Sequence, residues 1–153
     1  MLFRSNVIKP THTFFGKKDA QQLRVIQQMI DVMNYQIELV ACPIIRDRNG
    51  LALSSRNQYL HVRDQQIAAI IYHSLIDVKS GLNSNQNIDQ LKRAFIAAIQ
   101  SNADMSVDYI SIACSKTLEE ITQLDGQEVL ISTAVFFKSV RLIDNITHHS
   151  SMH

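Results

Sequence analysis

Thr13-Phe14-Phe15-Gly16-Lys17-Lys18-Asp19-Ala20-Gln21-Gln22 reads as a strand that stops at a glycine and turns through two lysines into a helix. Thr11 to Phe15 has the composition of a buried strand, entered after a break at Lys9-Pro10. Beyond Asp19, the residues Leu23, Ile26, Ile30 and Met33 recur at helical spacing and form one apolar face, which predicts a helix ending near Asn34. Ile37 to Ala41 reads as a second strand, stopped by Pro43, which has no N–H to give to a ladder. Strand, helix and strand in this order form a βαβ unit, parallel and right-handed as such units are. The fold class is therefore α/β, beginning with a remnant of a doubly wound sheet. Two strands cannot cover both their faces, so apolar surface is expected to stay exposed unless another chain covers it.

The turn in this unit suits an anion. Gly16 permits close backbone approach, the start of the helix presents N–H groups and the positive end of its dipole, and Lys17 and Lys18 add mobile charge. It is neither a Walker loop nor the dinucleotide glycine pattern. A second stretch has the same character: Gly50-Leu51-Ala52-Leu53-Ser54-Ser55-Arg56-Asn57. The hydroxyls of Ser54 and Ser55 can donate to anionic oxygens, and Arg56 offers a planar fork of permanent charge that matches phosphate or carboxylate. The structural alternative is a helix start capped by Ser55, with Arg56 on a solvated face.

Arg46 to Gly50 is a polar turn, and the domain boundary is placed there, giving domains over 1–47 and 48–147. Asp64 to Ser80 carries the strongest helical pattern, with Gly81 as its C-terminal stop. Ile88, Leu91, Phe95, Ala98 and Ile99 predict a second amphipathic helix to about Gln100. Val107 to Ala113 reads as a strand, Lys116 to Ile121 as a short helix, and Glu128 to Phe137 as a long strand. Lys138-Ser139 turns the chain back, and Val140 to Ile143 pairs antiparallel with the strand before it. This second domain is thus a small α+β unit with two main helices and an antiparallel sheet. Residues 148–153 read as a disordered polar tail, so His148, His149 and His153 are not taken as a metal site. His61 and His73 fall in helical context as surface or packing residues, and no Ser, His and acid arrangement is marked.

Composition excludes several classes. Of 153 residues, 46% are hydrophobic and 19% charged, the net charge is +1, and the Lys and Arg residues are scattered, which leaves no concentrated patch for nucleic acid. No apolar run reaches the roughly 18 residues of a membrane span, and Met1 to Ser5 is too short for a secretory signal. Cys42 and Cys114 are isolated and in no metal-type spacing, as in reduced cytoplasmic proteins.

The blocks Phe15-Gly16-Lys17-Lys18-Asp19-Ala20-Gln21-Gln22, Pro43-Ile44-Ile45-Arg46, Gly50 to Asn57 and Arg141-Leu142-Ile143-Asp144-Asn145 together resemble the pantothenate synthetases, or pantoate–β-alanine ligases, over about Asn6 to Asn145. The resemblance implies a Rossmann-like nucleotide-binding domain, of which this chain carries the end, followed by a smaller C-terminal domain. It implies an ATP- and Mg²⁺-dependent cytoplasmic ligase that activates pantoate as an acyl-adenylate and passes the acyl group to β-alanine. By the same resemblance, Gly16, Lys17, Lys18 and Asp19 contact ATP, Gln22 hydrogen-bonds pantoate, the backbone of Ile45 contacts adenine, and Leu53, Ser54, Ser55 and Arg56 form a second ATP block. Lys18, Ser54, Ser55 and Arg56 then carry the catalysis. The family's His-x-Gly-His motif is reproduced by none of the six histidines, so the isolated chain is expected to be inactive, and either a homodimer of the complete enzyme or a separate N-terminal half is an expected partner. The alternative is a non-catalytic nucleotide-binding or interaction module.

Overall fold

The computed structural model describes residues 7–149, and the readings of Met1 to Ser5 and of His153 lie outside them. The chain divides into two units between Ile44 and Ile45. In the first, β1 (His12–Gly16) and β2 (Glu38–Cys42) pair in parallel, from His12 opposite Glu38 to Gly16 opposite Cys42, and α1 (Ala20–Val32) joins them. The helix begins where Asp19 Oδ1 accepts the Gln22 N–H at 3.1 Å, which satisfies one of the donors that a helix start leaves open. Ile26 and Ile30 are buried, while Met33 sits past the last turn and is half exposed. Asn34 takes a left-handed φ of 50° and ends the helix. Phe14, Val25 and Val32 are exposed.

The second unit is a three-stranded antiparallel sheet, β3 (Met105–Cys114), β4 (Glu128–Phe137) and β5 (Val140–His149), with β4 in the centre. β4 is buried along nearly its whole length, as befits its run of Val, Ile, Leu and Phe. Three helices precede the sheet, α2 (Val62–Ala68), α3 (Ile70–Asn83) and α4 (Ile88–Gln100). Leu75, Val78 and Leu82 of α3 and Leu91, Phe95 and Ile99 of α4 share one core with Ile112, Val129, Ile131 and Phe137 of the sheet.

Several expectations are corrected here. The single helix over Asp64 to Ser80 is two helices, interrupted at Ala69, whose C=O accepts from the Tyr72 N–H at 3.1 Å. Ala69 itself keeps right-handed helical dihedrals, φ −60° and ψ −18°, and its C=O also accepts the His73 N–H at 3.3 Å, so the interruption is a single tightened turn. Gly81 is not a stop; α3 runs past it to Asn83. Its role is proximity, because a Cβ there would lie 2.2 Å from Leu91 Cδ2 of α4. Lys116 to Ile121 forms no helix. It folds back on β3, with the Leu118 N–H on Cys114 O, the Cys114 N–H on Glu119 O and the Ile121 N–H on Ile112 O, and Leu118 takes a left-handed φ of 62°. His148 and His149 belong to no disordered tail, since they end β5 opposite Val129 and Glu128. The division between the units precedes the expected boundary at 47/48, because Arg46 and Asp47 are bonded into the second unit.

Two measurements test this packing. Gly81→Ala is expected to destabilise the protein in urea by about 1 to 3 kcal/mol, as an overpacked core does, against a helix-propensity gain of about 1 kcal/mol at most. Shortening the neighbour in a Gly81→Ala, Leu91→Ala double variant should make the two penalties non-additive. The second concerns His148, which is buried with neither ring nitrogen hydrogen-bonded. Burial holds its imidazole below the ordinary value of 6.5, and the charges of Lys79 and His149 push the same way. The unfolded chain therefore takes the proton more readily, so this contribution to stability is full above about pH 6.5 and is lost as pH falls through that value towards the folded one. His148→Phe is expected to lose less melting temperature than the unaltered chain between about pH 8 and about pH 5.

Candidate functional site

In the second unit the site is built on Arg46. Its Nη1 and Nη2 donate to the two carboxylate oxygens of Asp144 at 2.6 and 2.9 Å, and further N–H groups reach Gly50 O at 3.0 Å and Asn145 O at 3.2 Å. The guanidinium lies over the Tyr72 ring, 3.8 Å from its centroid. This fork-to-fork pair is nearly out of water, with side-chain exposures of 16% and 5%. Asp47 closes the adjoining turn by accepting from the Asn49 and Leu51 N–H groups at 2.8 and 2.9 Å. Gly50 is required there: its φ is 99°, and a Cβ would meet the Tyr72 ring at 2.6 Å. The chain returns antiparallel, Arg46 bridging to Ala52 and the Leu53 N–H reaching Ile45 O at 2.8 Å.

This hairpin delivers Leu53, Ser54, Ser55 and Arg56 at the start of a one-turn 3₁₀ helix, Ser55–Tyr59. Ser54, not Ser55, is its cap: the Ser54 Oγ accepts the Arg56 N–H at 3.1 Å and donates to Asn57 Oδ1 at 3.3 Å. Asn57 is buried and donates to Ala52 O at 3.3 Å, while Gln65 Nε2 donates to the carbonyls of Asn57 and Leu60. The loop is thus held from beneath, and Ser55 and Arg56 stand exposed on it. One of the five N–H donors of Arg56 reaches Arg141 O at 3.2 Å, and the Arg141 side chain is itself paired with Asp108 at 2.7 Å. Ile45 and Leu53, at the mouth of the hairpin, are exposed apolar residues.

In the first unit the turn over Gly16, Lys17, Lys18 and Asp19 leads into α1. The Lys17 N–H is bonded to Cys42 O at 2.8 Å, which continues the sheet. A Cβ at Gly16 would meet nothing within 4 Å, so the space above it is open. The Asp19 carboxylate caps the helix, and Gln22, exposed in the first turn, supplies the capped N–H. Gly16, Lys17, Lys18, Asp19 and Gln22 are thus gathered on the first unit, and Ile45, Leu53, Ser54, Ser55 and Arg56 on the second. Sequence reasoning missed Asp144, Tyr72 and Asn57 as supports of the loop. No local signal marks Asp144, which follows the apolar run Leu142-Ile143 in a strand that also carries Arg141, Asn145 and Thr147.

Comparison with known proteins gives this chain, a βαβ unit followed by an antiparallel α+β unit, a family. Residues 2–147 match the family model described as pantoate-beta-alanine ligase, and the chain belongs to that family. The pantothenate synthetase of Clostridium botulinum (strain Loch Maree / Type A3) is 41% identical over 143 residues, which are 93% of this chain and 50% of that protein. The crystal structure of pantothenate synthetase from Thermus thermophilus superposes with a TM-score of 0.83 at 29% identity, covering 95% of this chain and 52% of that one. That of pantoate-beta-alanine ligase from Francisella tularensis, complexed with beta-gamma ATP and beta-alanine, gives a TM-score of 0.65 at 27% identity, covering 95% of this chain and 46% of that one. The chain spans about half the length of the curated relatives it matches.

Arg46→Met is expected to cost about 3 to 5 kcal/mol of stability, because it strands the buried Asp144 carboxylate. The paired variant Arg46→Met, Asp144→Leu should recover much of that loss in the same denaturation series, since a buried pair replaced by apolar residues is often near neutral.

Proposed function

We propose that this chain supplies the ATP-binding and substrate-binding elements of a cytoplasmic ligase that condenses pantoate with β-alanine through a pantoyl-adenylate. The observation that supports this reading is the Ser54-Ser55-Arg56 loop, delivered by the hairpin that the Arg46–Asp144 pair anchors, held from beneath by Asn57 and Gln65, and exposing Ser55 and Arg56 to a ligand. Adenylate formation builds negative charge on the α-phosphate and on departing pyrophosphate, and rigidly placed cations stabilise that charge without reorganising. Arg56 and Lys18 supply it, with Lys17 and the Gly16 turn completing the phosphate contacts. Ser55 donates a hydroxyl, and Ser54 and Asp19 act through the backbone they cap. Gln22 hydrogen-bonds pantoate, and the Ile45 backbone meets adenine. The attacking atom of the first step is the substrate's carboxylate oxygen and that of the second is the amine of β-alanine, so no side chain here has to form a covalent intermediate.

Among the described residues no three of His, Cys, Asp and Glu gather as a metal cage. Mg²⁺ on this reading would be held by the phosphate oxygens of ATP and would offset their charge. No helix of the described residues is long and apolar enough to cross a membrane.

The second reading is a nucleotide-binding or interaction module without catalysis. ATP binding without pantothenate formation, in a preparation completed with the unmatched half of a relative, would select it. In that completed preparation Arg56→Ala is expected to slow pyrophosphate exchange by about a hundredfold to a thousandfold with an unchanged melting temperature. Ser54→Ala is expected to show the cap instead, as a loss of about 1 kcal/mol of stability. Unchanged exchange in Arg56→Ala together with a lowered melting temperature would make the loop structural and the site assignment wrong.

A further inference from the structure

The one-turn 3₁₀ helix Ser55–Tyr59 has a burial pattern of period three. Ser54 is half-buried, Asn57 and Leu60 are buried, and the residues between them, Ser55, Arg56, Gln58 and Tyr59, are exposed. A 3₁₀ helix turns once in three residues, so side chains at i and i+3 eclipse one another. One column of side chains, Ser54, Asn57 and Leu60, therefore faces the core, and two columns face out: Ser55 with Gln58, and Arg56 with Tyr59. The inner column is fastened by the Asn57 N–H on Ser54 O at 3.1 Å and the Leu60 N–H on Asn57 O at 3.0 Å, while Gln65 Nε2 reaches the Asn57 and Leu60 carbonyls from α2. That fastening fixes the direction of the outer columns. Leu60 and His61 are extended, with ψ of 136° and 157°, so the column of Arg56 ends at Tyr59.

Tyr59 is 70% exposed, and support of the loop does not require it. Among the described residues its ring meets no cation or aromatic, and its hydroxyl has no hydrogen-bond partner. A phenol beside a guanidinium of permanent charge offers a second donor to the same anion. With a rise of about 2.0 Å per residue, Tyr59 stands about 6 Å farther along the helix axis than Arg56, so the two side chains suit different phosphoryl groups of one polyphosphate. The hairpin bearing Ile45 and Leu53 enters at the Ser54 end, and Tyr59 lies at the other. We propose that Tyr59 is a further binding residue, whose hydroxyl donates to the terminal phosphoryl groups of the nucleoside triphosphate that Arg56 holds. This rests on the reading of Arg56 as a phosphate-binding residue and extends it to the end of the 3₁₀ helix.

The test uses the full chain and inorganic tripolyphosphate, which has no base for the ring to stack on. Calorimetry is expected to show binding that Tyr59→Phe weakens about tenfold or more, as loss of a hydrogen bond to a charged group does. The melting temperature of Tyr59→Phe should be unchanged, because the ring is kept and a merely structural tyrosine would move stability rather than affinity. Val62→Ser, at a residue that is 73% exposed but lies beyond the extended Leu60 and His61, should leave binding unchanged. In the unaltered chain carrying ring-labelled tyrosines, the Tyr59 resonance is expected to shift on saturation, which decides the matter even if the variant folds poorly. No binding at roughly 10 mM tripolyphosphate, an unshifted Tyr59 resonance, or equal affinity in Tyr59→Phe would overturn the proposal. The two readings separate in one comparison. Binding weakened by Arg56→Ala but not by Tyr59→Phe sinks this inference and leaves Arg56 in its place, whereas binding that neither substitution changes sinks the phosphate reading of the loop as well.

Discussion

The bidentate pair of Arg46 with Asp144 is the constraint on which the second unit depends. It joins a hairpin near the start of that unit to the last strand of its sheet, across 98 positions of sequence. Two charges so nearly removed from water are tolerated only because almost every donor and acceptor has a partner: both carboxylate oxygens, the Gly50 and Asn145 carbonyls, and the face of the Tyr72 ring. Such a pair contributes little net stability against an apolar substitute, but it has one geometry, and that geometry is transmitted to what it holds. The hairpin from Ile45 to Leu53 cannot slide without breaking it.

What it holds is a loop whose chemistry is divided between support and display. Ser54, Asn57 and Gln65 satisfy backbone groups, while Ser55 and Arg56 face solvent one residue away. Adjacent hydroxyls that look equivalent in a sequence thus have separate duties, because at a tight turn successive side chains point in different directions. The same division occurs in the first unit, where the Asp19 carboxylate is engaged in capping and Lys17 gives its N–H to the sheet while its side chain is exposed. Burying the supports and exposing the charges lets a site stay rigid without first being desolvated.

The first unit shows the opposite arrangement. Its two parallel strands and one helix bury Ile26 and Ile30 yet leave Phe14, Val25 and Val32 exposed. A lone βαβ unit has more apolar surface than one helix can cover. The exposed aromatic therefore reflects the length of chain packed against the sheet and not an error of patterning, which is why the same strand alternation that places Phe15 inward places Phe14 outward.

The sequence by itself determined the order of strand, helix and strand, the parallel pairing, the amphipathic face of α4, the long strand β4 and its two-residue turn into β5. These follow from periodicity and from glycine and proline, which act over a few residues. It also marked Gly16 to Asp19 and Ser54 to Arg56 as polar turns suited to anions, since charge and hydroxyl content are local properties. Only the tertiary structure decided that Gly81 lies inside a helix, where it admits Leu91, that the helix pattern from Asp64 breaks at Ala69, and that Lys116 to Ile121 folds back as a turn. It alone carried β5 on through Asp144, Asn145 and His148, polar residues that no hydrophobic alternation announces. The course of β5 and the place of Gly81 depend on contacts made in the folded core, the turn over Lys116 to Ile121 on its pairing with β3, and the partner of Arg46 could be seen only when the fold had brought position 144 beside it.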